Sequence, residues 1–65
     1  MKLKEFIKKR GKNTQQVADY LGILRGSLSK KLNHKAPFRI SEALKIKRFL
    51  DMTDEEFFEI FEEFI

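Results

Sequence analysis

The segment VADYLGILRGSL, residues 17–28, restricts the fold more than any other stretch of the chain. Val17, Ala18 and Leu21 give it an apolar face, and the pattern predicts a helix from Thr14 to about Leu21. Gly22 ends that helix, because glycine enters positive φ without strain. A second helix is predicted over Arg25 to Leu32. Two short helices meeting through a tight corner need a small residue where their axes approach, which is Ala18. They need a corner residue tolerant of positive φ, which is Gly22. They also need an apolar lock, which Val17, Leu21, Ile23, Leu28 and Leu32 supply. Together these are the ingredients of a helix-turn-helix.

Around this unit the rest of the chain also reads as helix. Leu3, Phe6 and Ile7 make residues 2–10 a short amphipathic helix, with Lys8, Lys9 and Arg10 at its C-terminal end and Gly11 as its stop. Asn13 and Gln16 have the spacing of a capping box at the start of the second helix. Asn33 to Pro37 is turn-like, with His34 as a turn residue, and Phe38 and Ile40 are expected to pin this loop to the core. A fourth helix carries Ala43, Leu44, Ile46 and Leu50; it begins near Arg39 to Ser41, where Ser41 is the better capping residue but Ile40 and Glu42 also fit a start one turn earlier. Thr53 to Glu56 repeats the capping-box pattern and opens a fifth helix over 54–64. The expected architecture is all-α, a single domain of five helices over residues 1–65 with the helix-turn-helix at 14–32. A chain of 65 residues buries only about 60% of its unfolded surface, so seven Phe in so short a sequence are core material.

Charge divides this chain in two. All 14 Lys and Arg lie in residues 1–50, opposed there only by Glu5, Asp19 and Glu42. Residues 51–65 carry seven acids and no base. One reading is a surface for a polyanion with an acidic surface turned away from it; the other is a solvated basic face with acids that balance helix dipoles. With no Cys and one His, neither a disulfide nor a tetrahedral zinc site of the usual donors is expected. No cofactor, small-molecule substrate or enzymatic activity is expected, since no Gly-rich phosphate loop or nucleophile–base set is present. No apolar run is long enough for a membrane span. A signal peptide is not expected, and the expected compartment is the cytoplasm of a bacterial host cell, in association with DNA.

Residues 13–33, NTQQVADYLGILRGSLSKKLN, resemble the Cro/CI-type, lambda-repressor-like helix-turn-helix of phage repressors. KAPFRISEALKIKRFL and DEEFFEIF are similar to the helices that follow in small phage-type members. The resemblance implies a sequence-specific regulator, a repressor or Cro-like protein, that places helix 25–32 in the major groove of double-stranded operator DNA, usually as a homodimer. By position it implies that Thr14 and Gln15 open the first motif helix at the DNA, that Arg25, Gly26, Ser27, Ser29 and Lys30 form the exposed recognition face, and that Asn33 meets phosphate. There are three departures: Thr14 replaces the family's Gln at the opening of the first motif helix, with Gln15 as its substitute, Leu24 replaces the usual Ser or Thr cap, and Gly26 replaces a reading side chain.

The chemistry of these residues sorts their roles. Arg25 is the best candidate for base contact, because its fork matches guanine O6 and N7. Ser27, Ser29 and Gln15 are further base candidates. Thr14, Lys30, Asn33, Lys35 and Lys12 are phosphate candidates, and Arg39 flanks them. Gly26 costs a helix about 1 kcal/mol relative to Ala; either DNA approaches the backbone there, or packing tolerates a weak position. On the fifth helix the apolar side is wide, and Phe58, Phe64 and Ile65 are expected to exceed the needs of the core and to form a homodimer contact. The alternative is that they all pack internally. A rival function is a protein-interaction module that binds another regulator through this Phe-rich helix.

Overall fold

A computed structural model describes residues 2–64. Five α-helices follow one another: α1 (Lys2–Lys9), α2 (Thr14–Leu21), α3 (Arg25–Leu32), α4 (Ile40–Phe49) and α5 (Asp54–Phe61). A single 3-10 turn, Glu62–Phe64, closes the described chain. The fifth helix is therefore shorter than expected: its α geometry ends at Phe61, and the expected last turn is wound tighter.

The helix ends follow local chemistry. Asn13 Oδ1 accepts the Gln16 amide at 2.8 Å, and Gln16 Oε1 accepts the Asn13 amide at 2.9 Å. Thr53 and Glu56 make the same reciprocal pair at the start of α5. Gly22 takes φ 72° at the end of α2, the left-handed conformation that the corner requires. The start of α4 falls within the expected stretch and takes the earlier of the two alternatives. Arg39, not Ser41, is the flanking residue, because Glu42 Oε1 accepts the Arg39 amide at 2.9 Å and starts the helix before Ser41 is reached. His34 and Asp51 hold positive φ immediately after the last turns of α3 and α4. His and Asp tolerate that region better than most side chains.

The core draws on every helix. Leu3, Ile7, Val17, Ala18, Leu28, Leu32, Ile46 and Leu50 are fully or almost fully buried, and Ile60 and Phe61 close the far side. Each side chain of this size contributes about 1.5–3 kcal/mol on burial. Two expected core residues lie elsewhere. Ile40 is 81% exposed and does not pin the loop; Phe38 does, edge-on to Phe61 and Phe64. Leu44 is 49% exposed, because α4 turns Ile46 and Leu50 inward and leaves Leu44 about one third of a turn away. Tyr20, on the outer side of α2, stacks on Phe49 with ring centroids 4.5 Å apart.

Candidate nucleic-acid interface

The turn Gly22-Ile23-Leu24 joins α2 to α3, and Ala18 lies fully buried beside it. Leu28 and Leu32 bury one side of α3 completely. At about 100° per residue, Gly26 and Lys30 fall on the side opposite these leucines. Both are exposed, as is Arg25 in the first turn. Ser27 and Ser29 flank that face and are half-buried. Among the described residues, the side chains of Arg25, Ser27, Ser29, Lys30, Asn33 and Lys35 make no hydrogen bond or ion pair within the chain. The outward side of α3 is therefore basic, and its donors are free.

Besides its buried leucines, a partly buried ion pair braces α3. Lys31 Nζ donates to Glu42 Oε1 at 2.8 Å and to the Pro37 carbonyl at 3.2 Å. The two side chains are only 14% and 13% exposed. Burial opposes ionisation of Glu42, but the Lys31 ammonium and the Arg39 amide together hold its carboxyl below the usual carboxylate range. The pair ties the last turn of α3 to the first turn of α4. Lys30 and Lys31, neighbours in sequence, thus have opposite tasks: one faces out and one braces the helix.

No side chain caps α3, since Leu24 stands at its N-cap without an oxygen to offer. Gly26 has no positive φ, and a Cβ built there meets nothing within 4 Å. Neither a turn nor crowding inside this domain requires glycine at this position.

A family model for the Cro/C1-type HTH DNA-binding domain matches residues 2–63. The chain belongs to that family. No curated protein and no solved structure matches it. As a Cro/C1-type domain it is a DNA-binding transcription regulator, and its partner is double-stranded DNA. No helix among the described residues is long and apolar enough to cross a membrane.

Within this Cro/C1-type domain the remaining candidates are unequal. Thr14 is half-buried in the first turn of α2, and Gln15 beside it is exposed. The Gln15 amide nitrogen donates to Asp19 Oδ1 at 2.9 Å, so one of its two N–H groups is already engaged. Lys12 is half-buried with its ammonium 5.4 Å from the centre of the Phe49 ring. Lys35 and Arg39 are exposed beyond the C-terminal end of α3. Leu24 is 78% exposed beside Arg25. Leu24 is thus more than a lost cap: its signal in the sequence is an apolar residue at a corner where Ile23 already provides the packing.

The dimer candidates also divide. Phe58 is 68% exposed. Phe64 turns inward, stacked on His34 at 4.7 Å and edge-on to Phe38 at 5.1 Å. Ile65 lies outside the described residues. In their place Ile40 and Leu44 join Phe58 around an apolar groove of about 210 Å³, whose wall includes Phe57 and Phe64.

Proposed function

We propose that this protein is a sequence-specific regulator of the phage-repressor or Cro-like kind, which seats α3 in the major groove of operator DNA. The observation that carries this reading is the outward side of α3, with Arg25 and Lys30 unpaired around the bare backbone of Gly26. Arg25 reads a guanine edge, and Leu24 offers an apolar contact to a thymine methyl. Ser27, Ser29 and Gln15 are secondary readers. Thr14, Lys30, Asn33, Lys35 and Lys12 meet phosphates, which fix register but carry no sequence information. The acids of α5 stand away from the duplex.

The test is binding to mixed-sequence duplex DNA across a salt series. Affinity is expected to fall steeply, with a log–log slope of about −0.9 for each phosphate contact. No binding at low salt would remove this reading. Arg25→Ala is expected to weaken a selected operator more than random DNA, by about 1–3 kcal/mol. Equal loss on both would make Arg25 a phosphate contact.

The partner reading is a homodimer across the groove of Ile40, Leu44 and Phe58. A two-fold interface must be self-complementary. Arg48 stands four residues after Leu44 on α4, and Phe58 on α5 has Glu55 three residues before it and Glu62 four after it. Rotating one copy so that its α4 crosses the other's α5 pairs apolar with apolar and base with acid. A different regulator bound at this groove is the rival reading. Concentration-dependent sedimentation of the protein alone decides between them, since the homodimer needs no second component.

A further inference from the structure

The lysines of α1 form two groups. Lys2 and Lys9 share a depression with Glu5, Glu56 and Glu59, where acids from α1 and α5 balance them. Lys4 and Lys8 face the other way. With Lys12 they line a cleft of about 240 Å³ between α1 and the start of α2, floored by Ile7 and closed by Asn13 and Thr14. No carboxylate lines this second cleft. Among the described residues none of its three lysines is in an ion pair; Arg10, Lys31 and Lys47 supply the ion pairs that exist. Lys4 and Lys8 are exposed and lie one helical turn apart on the same face of α1. Three lysines thus line one cleft at the edge of the helix-turn-helix with no carboxylate in its wall.

We propose that this cleft is a phosphate-binding site that seats the DNA backbone outside the stretch read by α3. It extends the contact surface onto α1 through Lys4 and Lys8, with Lys12 at the junction. The inference rests on the DNA-binding reading above and adds a second, sequence-independent foothold. The mechanism is counterion release: each phosphate neutralised by a lysine frees condensed cations and steepens the salt dependence. The arrangement also explains why the lysines of α1 differ. Lys2 and Lys9 have acids at hand, so the same charge on the same helix gains nothing from a phosphate.

That internal contrast sets the experiment. Two variants, Lys4→Gln/Lys8→Gln and Lys2→Gln/Lys9→Gln, lower the net charge equally and alter only exposed side chains. Binding to a mixed-sequence duplex is measured by fluorescence anisotropy over a potassium chloride series, after thermal unfolding confirms that both variants fold. The log–log slope of Lys4→Gln/Lys8→Gln is expected to become shallower by about 1–2, at about 0.9 per lost contact. That of Lys2→Gln/Lys9→Gln is expected to match the native protein. Equal changes in both variants, or none in either, overturn the inference while leaving the DNA-binding reading intact. A native protein that fails to bind at low salt overturns both.

Discussion

Gly26→Glu separates folding from function in one substitution. Position 26 lies in the first turn of α3, without positive φ, and a new Cβ meets nothing within 4 Å. Removing glycine's freedom in the unfolded chain stabilises by about 0.4–1 kcal/mol. A carboxylate in the first turn of a helix adds about 0.3–1 kcal/mol. Lys30 stands four residues on, and a Glu-to-Lys pair in that direction adds about 0.2–0.5 kcal/mol. The folded state should therefore gain about 1–2.5 kcal/mol. For a domain of this size that raises Tm by roughly 4–20 °C, at about 4–8 °C per kcal/mol. The same carboxylate stands on the outward side of α3, where the proposal puts DNA. Bringing like charges together across an interface costs several kcal/mol, so affinity should fall by about a hundredfold or more. Circular dichroism melting and anisotropy on one preparation read both effects. A lower Tm would mean that Gly26 has a packing role the geometry does not reveal. A higher Tm with unchanged affinity would mean that α3 does not face DNA.

Three other outcomes follow from the same geometry. Gly22→Ala places a Cβ at φ 72° and should destabilise by about 1–2 kcal/mol, opposite in sign to any small substitution at 26, as read by urea denaturation. Glu42→Gln should cost about 1.5–3 kcal/mol near neutral pH, because it removes the negative charge facing the Lys31 ammonium in a mostly buried place and leaves only neutral oxygens to accept from it. Since the folded state lowers the Glu42 pKa, its contribution is fully present above the unfolded value near 4.5 and is lost as pH falls through the folded value. Melting curves between neutral pH and about pH 3 should thus converge for native and Glu42→Gln proteins at the acid end; a constant gap would contradict the ion pair. In the proposed homodimer, Phe58→Glu should abolish self-association in sedimentation without lowering the Tm of the monomer, because Phe58 is mostly solvent-facing; self-association equal to that of the native protein would contradict the proposed groove.

The α2–α3 unit was legible because its rules are local. Capping by Asn13 and Gln16, positive φ at Gly22 and the small Ala18 each depend on residues a few positions apart. The fate of Ile40 and Leu44 was not legible. Periodicity marks an apolar face on α4, but how wide a face the neighbouring helices cover is set by tertiary packing. The same holds for Lys31, whose partner Glu42 lies eleven residues on, across the α3–α4 loop. Nothing in the run Ser29-Lys30-Lys31 distinguishes the lysine that faces out from the lysine that braces. The start of α4 turned on a competition: Ser41 was a sound cap by residue type, and the reach of Glu42 back to Arg39 decided against it. The lysines of α1 looked alike as a solvated face. Only the placement of α5 and of the start of α2 divided them into balanced and unbalanced groups.

The most direct measurement is a backbone amide NMR titration of the protein with a duplex selected from a random-sequence pool. The account predicts that the largest shifts fall on Thr14 to Gln16 and Arg25 to Lys30, with Glu55, Glu59 and Glu62 unmoved. Shifts centred on α5, with α3 unaffected, would contradict it.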